Sequence, residues 1–274
     1  MTPFESHKID SAIYRMKPDR AIVTLWAIIV AQAVSRGFDR HSAELVRLPI
    51  KPEILGTSSK VEKSRKLKML TRVIYLSPAT ESGVKLCPAS SPECRAACLG
   101  HSSGHLQFDS SRNARLWKSA LLIGAPRIFR AKLQDEIERH TKRAHKLGMT
   151  PAIRPNGSSD LALEAPIARA NPGVKVYGYT KVFAKLASVE NLDNAYLTFS
   201  YSGRNWIESR AALIRGHNVA VCFADKLPSS WRGFKVIDGD THDARMLDER
   251  GVIVGLKLKG NHDPAEFRPF VQMV

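Results

Sequence analysis

The sequence predicts an α/β protein whose alternating βα units form a mostly parallel sheet or partial (β/α) barrel, preceded by an N-terminal helical appendage. Three observations predict it. Short runs rich in β-branched and aromatic residues recur from Arg72 to Leu258, runs of helical period separate most of them, and Asn, Ser, Gly and Asp gather where the apolar runs end. Parallel strands need crossover connections, and the intervals here are long enough to supply them. An open doubly wound sheet and a complete or partial barrel share this periodicity.

Residues 1–45 read as the appendage, built around the apolar run Ala21 to Val34. Lys17, Arg20 and the Ala31-Gln32-Ala33 triplet give that run a superficial likeness to a signal peptide. It is too short to span a bilayer and its leader is long for a secretory segment, so a buried or partner-binding helix is expected. Leu48-Pro49-Ile50-Lys51-Pro52 reads as a linker, and residues 46–274 as an α/β metal-binding domain.

The strand Arg72 to Leu76 delivers the chain into a cysteine loop. Helices are expected at Ser110 to Ile123 and at Pro126 to Leu147, the second closed by Gly148. Strands then follow at Pro151 to Arg154, Val174 to Tyr179, Tyr196 to Ser200, Asn218 to Phe223, Phe234 to Ile237 and Val252 to Leu258. Between the first four of these lie helical patterns at Asp160 to Ala170, Val182 to Ser188 and Trp206 to Arg215.

The balance of 42 Lys+Arg against 26 Asp+Glu gives a formal charge of +16, a field that favours polyanions and makes nucleic acid the expected partner. Lys60, Lys63, Arg65, Lys66, Lys68 and Arg72 form one basic run, and Arg127, Arg130, Lys132, Arg139, Lys142, Arg143 and Lys146 another. Asp135, Glu136 and Glu138 interrupt the second, so part of it reads as a surface of internal ion pairs. Four cysteines, three of them in one short segment, make a poor disulfide framework and point to a reducing compartment such as the cytoplasm. No phosphate loop, nucleophile elbow, dinucleotide fingerprint or zinc deaminase signature occurs, nor a His-hydrophobic-His pair, so Tyr177, Tyr179 and Tyr201 read as packing residues.

Cys87, Cys94 and Cys98 stand in a C-x6-C-x3-C pattern. The shorter gap sets Cys94 and Cys98 one helical turn apart, and the Pro-containing loop returns Cys87 toward them. Thiolates select zinc, copper(I) or iron–sulfur. Structural zinc wants a fourth ligand, for which His101 or His105 are the neighbours, whereas a 4Fe-4S cluster on three cysteines leaves one iron open. Iron–sulfur is the leading expectation and zinc the alternative. Cys222, in the apolar run Val219 to Phe223, reads as core.

Ligand sites in α/β folds lie beyond the carboxyl ends of the strands. Asn156, Asp160, Lys181 and Ser200 fall there, and Asp238, Asp240, His242, Asp243 and Arg245 follow a later strand, so polar residues converge on one rim.

Several blocks carry a resemblance. The cysteine segment with Gly104, Ile153 to Asp160, Tyr177 to Lys181, Leu197 to Ser200, and Val236 to Asp240 with Asp243 and Arg245 together resemble the phage-associated gene-product-eighty-eight-like family, whose members also occur in prophages and plasmids. The resemblance implies an iron–sulfur or metal-binding viral or plasmid protein and supplies no reaction. A looser similarity links the chain to radical S-adenosylmethionine enzymes, which also place three cysteines after the first strand of a βα partial barrel. Their usual C-x3-C-x2-C spacing and Gly-Gly-Glu segment are missing here. The similarity implies that Asn156, Asp160, Lys181 and Ser200 bind the cofactor's polar groups, and that Asp238, Asp240, His242, Asp243 and Arg245 are the catalytic candidates, facing substrate or a second metal.

Three functions follow as expectations. The first is an iron–sulfur enzyme acting on nucleic acid by chemistry like that of radical S-adenosylmethionine enzymes. The second is a non-catalytic DNA- or RNA-binding factor for replication or regulation, with a structural or redox-sensing cluster or zinc. The third is a metal-dependent nuclease using Asp238 and Asp240.

Overall fold

The structure is a computed structural model that describes residues 20–49, 52–98, 106, 108–259 and 263–274. Its centre is a mostly parallel sheet. Strands β1 (Leu55–Gly56), β2 (Met69–Ile74), β3 (Thr150–Arg154), β4 (Lys175–Thr180), β5 (Ala195–Ser200) and β6 (Val219–Phe223) lie side by side in chain order. Beyond β6 come β9 (Ile253–Lys257), β8 (Phe234–Asp238) and β7 (Ser230–Trp231). All pairs from β2 to β8 are parallel, and the short outer strands β1 and β7 pair antiparallel to their neighbours. Every strand expected from the sequence is present, and the mixed α/β class stands.

Side-chain alternation divides the sheet into an apolar face and a more polar one. On β6, Val219, Val221 and Phe223 enter one core with Leu197, Phe199 and Ile253, packed beneath Leu186 and Leu213. Helices α1 (Arg20–Ser35), α2 (Arg40–Leu45), α3 (Ser59–Glu62) and α4 (Pro92–Ala96) precede the two long helices, α5 (Asp109–Gly124) and α6 (Pro126–Lys146). Ile74, Ile153 and Val176 join Trp117, Leu121, Phe129 and Ile137 in a second core on the same face. The opposite face carries Ala152, Tyr177 and Tyr196, which pack against Ala244.

The apolar run near the N-terminus is α1, and its Ile29 and Ala33 belong to the same core as Trp117 and Leu121. Arg36 donates to the carbonyls of Ile123 and Gly124 at 2.7 and 2.6 Å, satisfying acceptors at the end of α5. No helix among the described residues is long and apolar enough to cross a membrane.

Helices α7 (Glu164–Ala170), α8 (Ala184–Ala187) and α9 (Trp206–Ile214) complete the crossovers. The helix expected from Asp160 starts only at Glu164, because Asn156 holds residues 159–161 in a loop: its Oδ1 accepts from Ser159 Oγ and Leu161 N at 2.7 and 3.0 Å. The helix expected over Val182 to Ser188 is the short α8.

The sheet is irregular at one point. β9 pairs with β6 from Val219 to Phe223 along one edge; β5 takes the other edge only at Val219 and Ala220. A strand not foreseen in the sequence, β10 (Val271–Gln272), pairs with Cys222 and Phe223. Because β9 fills the opposite edge, β5 and β10 share one edge of β6, and β5 leaves it at the carboxyl end. β10 thus supplies hydrogen-bond partners that β5 leaves unmet.

The α1 packing is testable. A Cβ on Gly124 would collide with the Ile29 carbonyl. Helix propensity alone would make Gly124→Ala stabilising by about 1 kcal/mol; overpacking against backbone should instead make it destabilising by about 1–3 kcal/mol in chemical denaturation. A gain in stability would show that α1 does not pack on α5 in this way.

Candidate functional site at the carboxyl ends of the strands

Where β5 departs from β6 a cavity of about 240 Å³ opens, and all four cysteines line it. Cys87, Cys94 and Cys98 come from the loop after β2 and from α4; Cys222 comes from β6, on the face opposite Val221 and Phe223. Asn156, Asp160, Lys181 and Ser200 line the same cavity, so the four positions expected to bind a cofactor are brought together with the triad. His101 and His105 lie outside the described residues.

The cysteine loop is fixed locally. Ser91 caps α4 by accepting from Cys94 N at 3.1 Å, with Pro92 in the first turn. Glu93 pairs with Arg204 at 2.8 Å, which fastens α4 to the loop after β5 and holds the Glu93 pKa down to about 2. Ala97 joins Ala224, Phe267 and Val271 in a small apolar cluster against which Cys222 packs.

A second set of bonds ties the cysteine loop to the loop after β3. Asp160 N donates to Leu86 O at 2.9 Å, and Ser158 Oγ donates to Leu76 O at 2.5 Å. Asn156 Nδ2 donates to Glu164 Oε1 at 2.7 Å; Lys185 Nζ stands 3.1 Å from Glu164 Oε2 and 2.9 Å from Asp160 Oδ1; Asp160 Oδ2 accepts from Lys181 N at 2.8 Å. Gly157 is required by close approach, since a Cβ there would stand 2.6 Å from the Tyr75 ring and from Val73. The side-chain polar atoms of Asn156 and Asp160 thus engage the protein itself, while Lys181 and Ser200 keep side chains on the cavity wall.

Cys87 Sγ accepts from Ala79 N at 3.4 Å and faces Ser158 O at 3.7 Å. Burial pushes the Cys87 thiol up to about 11 and the Cys222 thiol up to about 12, so both are protonated at neutral pH in this arrangement. Among the described residues no three His, Cys, Asp or Glu side chains stand at the spacing of a metal centre. The four thiols are a donor set of the right softness for zinc or iron–sulfur, gathered round one cavity but not drawn together.

The later cluster lies elsewhere. None of Asp238, Asp240, His242, Asp243 and Arg245 is among the lining residues of this cavity. Asp238 Oδ1 accepts from Asp240 N at 2.7 Å, and Asp240 Oδ2 pairs with Lys259 at 3.0 Å. His242 Nδ1 lies 2.9 Å from an Arg245 nitrogen, and Arg245 pairs with Asp248 at 3.1 Å. Asp243 is fully buried: Arg154 approaches both its oxygens, at 3.2 and 3.0 Å, Tyr177 OH donates at 3.0 Å, and Lys60 stands 3.5 Å away. These carboxylates meet amides and cations of the chain rather than one another.

The sequence reading missed Arg154, Tyr179 and Cys222 as cavity residues. Cys222 had a signal: within Val219-Ala220-Val221-Cys222-Phe223 it alternates with the bulky residues, so a one-faced apolar strand would turn it away from the core. The basic runs are partly internal, as expected of the second: Lys132 pairs with Glu136 at 3.2 Å and Arg139 with Asp135 at 3.0 Å. In the first run Lys63 donates to Asp240 O at 2.9 Å.

Burial alone would raise the Asp243 pKa, but Arg154, Lys60 and the Tyr177 hydroxyl hold it below the ordinary 3.8. Its ionised form therefore contributes stability above that pH, lost as pH falls through the lower folded value. Asp243→Asn should cost about 3–5 kcal/mol at neutral pH by leaving Arg154 uncompensated, and should flatten the acid limb of a Tm-against-pH curve. An unchanged acid limb would refute the assignment.

A family model described as gene product 88 matches residues 52–269. No curated protein and no solved structure matches the chain. The matched span contains all four cysteines and every described residue that lines the cavity save Phe270. Covering most of the sequence, the match makes the chain a member of the gene product 88 family.

Proposed function

We propose that the chain is an iron–sulfur protein that acts on nucleic acid in a phage or plasmid setting, with Cys87, Cys94 and Cys98 holding the cluster. One observation carries the reading: thiols far apart in sequence border a single cavity whose other charged walls are mostly cationic, with Arg95, Arg154, Lys181, Lys257 and Lys259 against Asp160. Asp160 is matched by Lys185. A thiolate-held centre is negative, and fixed cations nearby lower the cost of burying it. Loading requires the thiols to lose their protons and the loop to draw them together, so metal uptake couples to both. When bound, the cluster supplies electron transfer or an open iron to whatever enters the cavity.

The chain's own residues set the rest. The Asn156, Glu164 and Lys185 network positions the loop that meets Cys87, and the formal charge of +16 draws a polyanion to the surface. S-adenosylmethionine remains a candidate co-substrate, with Lys181 and Ser200 the polar side chains left to meet it. A second reading rests on the charge and the Lys-rich segments: a non-catalytic DNA- or RNA-binding factor with a structural or redox-sensing cluster or zinc.

Anaerobic reconstitution should give a brown protein with iron and sulfide in equal amounts and a paramagnetic signal on reduction. Cys87→Ser should lose most of that iron. Colourless protein carrying stoichiometric zinc, or no metal, would overturn the iron–sulfur reading. Binding to a labelled oligonucleotide should weaken steeply between 50 and 200 mM salt, on the order of 10³-fold if about six phosphates are contacted; no binding at low salt would overturn the nucleic-acid part.

A further inference from the structure

The polar face of the sheet holds a second cavity, of about 300 Å³, continuous with the first through Arg154, Tyr179, Lys181 and Ser200, which line both. Two residues of its wall carry a buried donor that lacks an acceptor. The Tyr179 hydroxyl is buried with no hydrogen-bond partner, and so is Arg154 Nε. The Arg154 guanidinium lies against the Tyr179 ring at 4.9 Å, held there by Asp243. Lys181 Nζ lies 5.5 Å from the Phe270 ring centroid, and no carboxylate pairs with it among the described residues.

Buried donors without acceptors are costly, and Tyr179 and Arg154 each carry one, with the Lys181 cation lining the same space. Among the described residues Asp160 is the one carboxylate lining either cavity, and Lys185 neutralises it. An acceptor with several oxygens and more than one negative charge would satisfy the phenol, the guanidinium and the ammonium together. Tyr75 and Phe270 also line the second cavity, aromatic residues of the kind beside which a nucleobase packs.

The geometry points to a binding site for the phosphoryl group of a nucleotide, with Arg154, Lys181 and Tyr179 as its donors and the aromatic wall beside it for the base. The phosphoryl group is carried either by a free nucleotide or by the 5′ end of a nucleic acid. The site does not depend on metal at the cysteines, so its failure is separable from failure of the iron–sulfur reading.

Calorimetric titration of the full chain, metal-free and reconstituted, with adenosine monophosphate and with 5′-phosphorylated and 5′-hydroxyl oligonucleotides tests it. Saturable binding of at least one phosphorylated probe is expected, weakened about ten-fold or more by Lys181→Ala and by Tyr179→Phe. Tyr179→Phe removes an unpartnered buried hydroxyl, so its Tm should hold or rise while its affinity falls, a combination that a purely structural role would not produce. A preference for the phosphorylated over the hydroxyl oligonucleotide assigns the source to a chain end; tighter binding of adenosine monophosphate assigns it to a free nucleotide. The inference is overturned if no phosphorylated probe saturates, or if exposed Lys142→Ala weakens binding as much as Lys181→Ala.

Discussion

The ion pair between Arg154 and Asp243 joins parts of the chain that are far apart in sequence, and the geometry of the cavity depends on it. Arg154 ends β3 and borders both cavities; Asp243 lies in the segment that covers the polar face of the sheet. Tyr177 from β4 and Lys60 from the first basic run meet the same carboxylate. With its two oxygens met by three donor groups, from Arg154, Tyr177 and Lys60, the carboxylate locks the covering segment to the strands, and the guanidinium is turned along the Tyr179 ring. Burying both charges is costly unless such contacts are complete. The pair therefore acts as a specific clasp more than as a net source of stability.

A second buried network does for the loops what that clasp does for the sheet. Asn156, Glu164, Lys185 and Asp160 satisfy one another and three backbone groups, so the turn after β3 has a fixed shape against the cysteine loop. The same bonds explain why two residues that look like ligand binders serve as scaffolding. Polar residues at strand ends are needed for turns as well as for ligands, and here Asn156 and Asp160 do the first job while Lys181 and Ser200 face the cavity.

Much of this was legible in the sequence because it depends on local pattern. The βα rhythm from Pro151 to Phe223, the helices around Trp117 and Ile137, and the gathering of polar residues at one rim all follow from periodicity and turn chemistry. What escaped depends on pairing between distant segments. Val271 and Gln272 form a strand only because β5 leaves an edge of β6 free, and nothing local marks them. Arg154 reads as the end of a strand until Asp243, 89 positions later, gives its charge a partner. Cys222 packs against an apolar cluster, as a core residue should, and what its short apolar strand hides is that it also borders the cavity, because the covered face of β6 is the one that carries Val221 and Phe223.

The thiols and the phosphoryl site draw on the same cations, and this ties the two proposals together. Lys181 lines both cavities and its charge lowers the cost of ionising both Cys87 and Cys222. A negative centre at the cysteines and a phosphoryl dianion beside it would repel each other directly, yet each would be attracted to Lys181 and Arg154. In a cavity partly shielded from water such charges interact more strongly than at the surface. If both proposals hold, binding in one half would be felt in the other, and by linkage the effect would be reciprocal. A change in cluster charge on oxidation would alter phosphoryl affinity, and an occupied phosphoryl site would shift the cluster's potential by the equivalent free energy. With both proposed ligands bound, the shared cations would couple redox state to ligand binding, a property that neither a remote structural metal nor an isolated basic patch would have.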